Sequence, residues 1–262
     1  MATNIQTYLT RIEYQGSLEP NLQNLSALQK AHMQAVPFEN LSIHYKQPIL
    51  LNEEALYKKI VEQNRGGFCY ELNGLFAWLL RSLGYKVEML SAGVITDDGG
   101  FGPEFDHMTL LVHIDEDYLV DVGFGDSFQE PLRVNFRGEQ RQGGMSYQLS
   151  ADAKRDALVL SEQNNLDENP NMQPQYRFML YPHQLNEYEG MCQYHQTSPA
   201  SHFTQKRVCS RATESGRFSL SDLKLIVTKN GTREEKTLVS EDEFQSALKE
   251  FFNIDLHPYP PK

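Results

Sequence analysis

Arg65-Gly66-Gly67-Phe68-Cys69-Tyr70-Glu71-Leu72-Asn73-Gly74 is the stretch from which both the fold and the chemistry are read. From Leu72 onward, Leu75, Phe76, Leu79, Leu80 and Leu83 recur at helical spacing and Gly84 stands where a C-terminal cap is expected. This predicts a helix from about Cys69 to Leu83 with one buried face. Cys69 therefore follows a glycine pair at the first turn of the strongest helix in the chain. Unpaired amides and the positive helix end favour a thiolate there, and can lower a cysteine pKa below its free value of about 8.5. The same amides could hold a developing oxyanion. The competing reading is an ordinary buried thiol, as most free cysteines are.

Upstream, Leu22, Leu25, Leu28 and His32 fit a helix that stops by Val36, because Pro37 biases its predecessor toward extended geometry. An extended stretch is expected around Leu41 to Tyr45, and Asn52 is an N-cap candidate for a helix from Glu53 to Gln63. Downstream of Val87 the pattern becomes short strands: VEMLSAGVI, HMTLLVHI, YLVDVGF, SYQLS, ALVLSE and QYRFMLYP, separated by Gly, Asp and Asn clusters. A barrel or strongly curved sheet is the expectation. The last third adds the strand LKLIVTK, a tight turn at Asn230-Gly231, and a helix opened by a Ser240/Glu243 capping box with Phe244, Leu248, Phe251 and Phe252 on its apolar face. The order helical, β, mixed reads as an α+β fold of three sub-domains, 1–85, 86–195 and 196–262, rather than a doubly wound sheet.

The 262 residues are 40% hydrophobic and 23% charged, ordinary values for a folded globular protein with a sizeable core. A net charge of -11 and a pI near 5.2 argue against nonspecific binding to nucleic acid or to an anionic membrane surface. MATNIQTYLTRIEY lacks a basic region followed by an apolar core, and no apolar run is long enough to span a membrane, so a soluble cytoplasmic protein is expected. Cys69, Cys192 and Cys209 form no CxxC pair and carry no zinc-type spacing, which suits a reducing compartment with free thiols and no metal site. HExxH, GxxxxGK[ST] and GxGxxG are absent, and with them the usual support for zinc hydrolase, P-loop and Rossmann chemistry.

A thiolate needs a base, and the base an orienting carboxylate. His107 begins the strand HMTLLVHI, and Asp121 lies in the apolar YLVDVGFG, where a carboxylate is costly without a partner. Their even separation puts both on one face of an antiparallel hairpin. For them to lie opposite each other the turn must centre at Ile114. A centre at Glu116, suggested by Asp115 to Asp117, offsets them by about four residues, on the order of 13 Å. The working arrangement thus needs the earlier turn or a bulge. A capping His and a backbone-satisfied Asp remain the alternative. His32 falls at a helical position, and His44, His113, His183, His195, His202 and His257 lack an adjacent strand carboxylate of this kind. Phe38, Phe124 and Phe203 are read as pocket-lining or as core, and Gly99-Gly100 as part of a flexible loop.

Taken together, RGGFCYELNGLF, HMTLLV and YLVDVGFG resemble the cysteine, histidine and aspartate segments of the arylamine N-acetyltransferases of bacterial type. YLTRIEYQG and AVPFENLSIH upstream, and TSPASHFTQ downstream, are similar to the same family in the same order. The resemblance implies a helical bundle, a β-barrel and an α/β lid around a catalytic core like that of cysteine proteases and transglutaminases. It implies Cys69 as the acylated nucleophile, His107 as the base, Asp121 as its orienting group and Phe38, Phe124 and Phe203 as the aromatic pocket. It further implies acetyl-CoA as co-substrate rather than a permanently bound cofactor, contacts to it around Gly99, Gly100, Phe124 and Gly125, and ping-pong transfer to an arylamine, arylhydrazine or N-hydroxyarylamine in xenobiotic metabolism. A monomer or homodimer without nucleic-acid or membrane partners is expected. Asp106, with Glu104 nearby, departs from the threonine common before the histidine, and an acidic segment there is unfavourable to the CoA phosphates where it faces them. A transglutaminase-like or papain-like cysteine hydrolase shares the constellation but must admit water and a peptide to the thioester. A non-catalytic small-molecule binder with a structural Cys69 is the third class.

Overall fold

The computed structural model describes residues 3–167 and 169–256. The N-terminal region is helical: α1 (Ile5–Arg11), α2 (Leu22–Ala35), α3 (Leu41–His44), α4 (Glu53–Tyr57) and α5 (Cys69–Ser82), with the two-residue strand β1 (Phe38–Glu39) between α2 and α3. Asn4, Asn21 and Asn52 each accept a backbone N–H three residues on, so the first, second and fourth helices begin where a side chain caps them. α2 ends at Ala35, as Pro37 requires. Two expectations are corrected here. Leu41 to His44 is helical rather than extended, because Glu39 Oε2 accepts the Leu41 amide at 2.7 Å and caps the turn. The helix starting at Glu53 passes at Lys58 into a π-helical turn that ends at Glu62.

An eight-stranded antiparallel sheet follows: β2 (Lys86–Val94), β3 (His107–His113), β4 (Asp117–Val120), β5 (Leu132–Arg133), β6 (Gln140–Gln142), β7 (Met145–Ala151), β8 (Leu158–Asn164) and β9 (Gln173–His183), in the order β5-β4-β3-β2-β9-β8-β7-β6. Its two end strands share no ladder, and glutamine side chains join them instead. Gln142 Oε1 accepts the amides of Gln129 and Glu130 at 3.0 Å while its Nε2 donates to Glu130 O at 2.7 Å. Gln140 does the same for Arg133, at 2.8 and 3.2 Å. The result is a nearly closed barrel whose interior holds Leu90, Leu111, Leu119, Phe128, Leu149, Leu160 and Phe178.

Two short helices, α6 (Glu189–Thr197) and α7 (His202–Gln205), lead to β10 (Val208–Thr213), β11 (Gly216–Ser221), β12 (Lys224–Lys229) and β13 (Thr232–Thr237) and the closing helix α8 (Glu241–Phe252). Asn230 and Gly231 both have positive φ, 50° and 77°, the tight turn expected between β12 and β13. Ser240 caps α8 by accepting the Glu243 amide at 3.2 Å, and the Glu243 carboxylate returns to the amide of Val239 rather than to that of Ser240. α8 buries Phe244, Leu248 and Phe252 against Leu220 and Leu225 of this second sheet and Leu238 just beyond it. Strand β1 from the helical region is the edge of the same sheet, paired with β10 through Phe38 and Ser210. The fold is α+β, and among the described residues no helix is long and apolar enough to cross a membrane.

Candidate active site

The nucleophile loop is set by close backbone approach and by buried charge. A Cβ on Gly66 would fall on the Pro37 carbonyl, and one on Gly67 would lie 2.7 Å from Glu71 Oε2, so neither position has room for a side chain. The Glu39 amide donates to Gly67 O at 2.8 Å. Arg65 pairs with Glu39 at 2.7 Å and Lys59 with Glu71 at 2.7 Å, all but Lys59 almost fully buried. Glu71 Oε2 also accepts the Phe68 amide at 3.2 Å, the return half of a capping box at the start of α5. Opposite charges and the donating amides of Leu41 and Phe68 compensate the burial of these carboxylates. They hold Cys69 at the first position of its helix.

Burial pushes the Cys69 thiol well above its usual range; a hydrogen bond from the Met108 amide acts against this, and the Asp121 charge adds to it. Burial thus opposes the lowering expected from the helix end. His107 and Cys69 line the same cavity. His107 Nε2 lies 2.7 Å from Asp121 Oδ2, both side chains buried, so Nδ1 is the nitrogen left to face a thiol.

The hairpin carrying these two side chains turns between both expected centres. Leu110 pairs with Val120 and His113 with Asp117. His107 and Asp121 therefore lie diagonally across the ladder, two residues out of register, a separation their side chains span. Neither the earlier turn nor a bulge is needed. Asp121 is fully buried and fully partnered. Its Oδ1 accepts Asn73 Nδ2 and the Gly123 amide, both at 2.9 Å, and its Oδ2 accepts Tyr176 OH at 3.1 Å beside His107. Burial alone would raise this carboxyl; His107, Asn73 and the Gly123 amide together hold it below the usual carboxylate range.

Asn73 and Tyr176 escaped the sequence reading. Asn73 lies one helical turn after Cys69, on the same face, and also donates to Met108 O at 2.6 Å and accepts the Val122 amide at 2.9 Å. Its spacing was a usable signal; Tyr176, a strand away in the barrel, had none. Gly123 is required between them, because a Cβ there would sit 2.7 Å from Asn73 Nδ2 and 2.8 Å from Cys69 Cα.

Phe38, Phe124 and Phe203 all line the cavity of about 770 Å³ that opens onto Cys69 and His107. Phe124 packs edge-on against His107, and Phe38 meets Phe203 at a tilt. Gly99 and Gly100 are not on its wall; they form the turn just beyond Thr96 and Asp97, which are. Gly125 lies behind Phe38. Among the other histidines, His32 is buried against Tyr8 OH and pushed down to about 3 by burial. Three of the described ones have a carboxylate partner: His183 meets Glu187 four residues on at 3.2 Å, and of the other two only His113 has its carboxylate on a neighbouring strand, contrary to the sequence reading. His113 faces Asp117 across the hairpin, away from the cavity lining, and His195 faces Asp106 within it. His257 lies outside the described residues. Cys69, Cys192 and Cys209 are free and buried.

The N-acetyltransferase family model matches residues 21–259. The pineal gland arylamine N-acetyltransferase isozyme NAT-3 of Gallus gallus is 35% identical over 97% of this chain and 94% of its own. The arylamine N-acetyltransferase of Mycolicibacterium smegmatis is 34% identical over 98% and 94%. Among solved structures, that of the Mycobacterium tuberculosis arylamine N-acetyltransferase superposes with a TM-score of 0.89 at 31% identity, covering 97% and 94% of the two chains. The Mycobacterium marinum enzyme in complex with CoA superposes at 0.87 and 30%, covering 96% and 93%.

Proposed function

The chain belongs to the arylamine N-acetyltransferase family, and from that premise we propose that it carries an acetyl group from acetyl-CoA, by way of a thioester on Cys69, to the nitrogen of an arylamine, arylhydrazine or N-hydroxyarylamine. His107 takes the Cys69 proton on Nδ1 as the sulfur attacks the acetyl carbonyl. The bond from that carbon to the CoA sulfur breaks, and His107 returns the proton to the departing thiolate. In the second half the amine nitrogen attacks the acetyl-enzyme, His107 accepts its proton, and the Cys69 sulfur leaves. Asp121 fixes the imidazole orientation and stabilises its charged form throughout.

The observation that carries this reading is the fully buried Asp121 bound to His107 at 2.7 Å on the wall of a cavity that Cys69 shares. Phe38, Phe124 and Phe203 supply an apolar surface for an aromatic acceptor, and the CoA-bound structure of the Mycobacterium marinum relative supports the donor. For the coenzyme this reading keeps Phe124 on the wall, Gly125 behind it and the Gly99–Gly100 turn beside the rim. The division 1–85, 86–195 and 196–262, a cytoplasmic location consistent with free thiols, a monomer or homodimer, and a role in xenobiotic metabolism belong to the same proposal.

Intact-protein mass after mixing with acetyl-CoA in the absence of amine tests it. One acetyl adduct on the wild type, absent from Cys69→Ala and discharged by an added arylamine, is the expected result. An adduct of equal size on Cys69→Ala overturns it.

A further inference from the structure

The polar part of the cavity carries information that its aromatic wall does not. Among the described residues lining it, the permanently charged side chains are carboxylates: Asp97 at the exposed rim and Asp106 in the wall, with no lysine or arginine. The two imidazoles deepest in the cavity are already matched to carboxylates, His107 to Asp121 at 2.7 Å and His195 to Asp106 at 3.4 Å. His202 is at the exposed rim.

Asp106 is fixed in place. Its Oδ2 accepts the Val94 amide at 3.1 Å, and Gly102 packs so closely against it that a Cβ there would overlap the carboxylate. His195 is fixed as well. Its Nδ1 engages Ser201 Oγ at 3.0 Å, and its ring stacks on Tyr70 and meets Phe203 edge-on. Burial alone would raise the Asp106 carboxyl, but His195 and the Val94 amide outweigh it and keep the group ionised, below the usual range. The cavity thus presents a fixed negative charge beside the reacting sulfur, among apolar side chains that screen it poorly.

We propose, resting on the acetyl-transfer reading above, that this cavity selects acceptor amines by charge: it takes neutral arylamines and those with a second basic nitrogen, and rejects those that carry a carboxylate. A ring carboxylate would give up its water against Phe38, Phe124 and Phe203, find no lysine or arginine, and face Asp106. A hydrazine or ammonium N–H finds Asp106 Oδ1 as its acceptor. The chemical step is the same for all of them.

The test begins with enzyme loaded by acetyl-CoA and verified by intact mass, and follows single-turnover discharge by 4-aminobenzoate, its methyl ester and 4-[(dimethylamino)methyl]aniline. The ester is intrinsically no better a nucleophile than the free acid, so a preference for it reports the cavity. The ester is expected to discharge the adduct at least about tenfold faster than the acid, with the cationic amine at least matching the ester. Asp106→Asn, whose amide oxygen can still accept the Val94 N–H, is expected to narrow the ester-to-acid ratio by about fivefold. Equal rates for acid and ester in the wild type overturn the proposal whether or not the variant folds, as does a folded Asp106→Asn with an unchanged ratio. Failure of the underlying reading is distinct from either, because no adduct would form before amine is added.

Discussion

Asn73 shows how much of the site is carried by a residue that performs no chemistry. It holds Asp121 Oδ1, Met108 O and the Val122 amide at once. Replacing it by alanine leaves three buried polar groups short of a partner, at a cost of about 1–3 kcal/mol for each that water cannot reach. Asn73→Ala is expected to lower the denaturant midpoint and to slow adduct formation by at least about tenfold with little change in the acetyl-CoA concentration dependence, since the loss is in orienting His107. A normal adduct rate in a destabilised protein would make Asn73 purely structural. Cys69, His107 and Asp121 were legible because a thiol at a helix start can be activated, an aspartate in an apolar strand is costly without a partner, and a histidine one strand away can serve both. Tyr176 was not, because its role exists only through Asp121, and Asn73 offered only its spacing from Cys69; the diagonal register that joins His107 to Asp121 is decided by the turn at Ile114 to Glu116. The weakness of the sequence argument lay in that same turn. At Cys69 the helix end and burial act on the thiol in opposite directions.

Among the elements, the long helices and the barrel strands were readable because periodicity reports a buried face, and α2, α5 and α8 keep close to their expected bounds. The short pieces were not. Leu41 to His44 and the π turn at Lys58–Glu62 are set by tertiary charge, Glu39 capping the first and Lys59 reaching Glu71 from the second. The Gly66-Gly67 pair before α5 has a steric use, making room for the Pro37 carbonyl and Glu71. Gly66→Ala is accordingly expected to destabilise the protein by about 3 kcal/mol or more. Gly74→Ala, where the new Cβ meets only the movable ends of Leu185 and Leu56 at 3.1 and 3.3 Å, is expected to be far milder. Chemical denaturation of the two variants side by side checks the difference, and equal losses would refute it.

For the whole molecule, three hydrophobic clusters organise the chain, and they ignore strict sequence order: β1 leaves the helical region to edge the C-terminal sheet, then bridges back to Gly67 through Phe38. Deleting residues 208–262 is therefore expected to abolish the acetyl adduct even though Cys69, His107 and Asp121 remain, because β10 is what holds Phe38 and Glu39 extended; a retained adduct would show the site to be independent of that sheet. Where the barrel meets the C-terminal sheet, Arg217 donates to Gly125 O and pairs with Asp126 at 2.8 Å. Nearby Glu162 is pushed up to about 7 by burial and by the Asp126 charge, with Arg217 opposing. A carboxyl raised in the fold binds a proton that the unfolded chain has released. Its contribution is thus fully present below pH 4.5 and is lost as pH rises to about 7. Glu162→Gln is expected to be neutral at pH 4.5 and stabilising by about 1–2 kcal/mol at pH 8, after allowance for solvent screening, as read from denaturant midpoints. The glutamine seam has a consequence for how the barrel assembles. Its partners are only 7, 12 and 13 residues apart in the chain, so joining the two ends of the sheet adds little loop entropy. The distant pairing, Leu90 with Pro182 between β2 and β9, closes a far longer loop and carries the larger closure entropy.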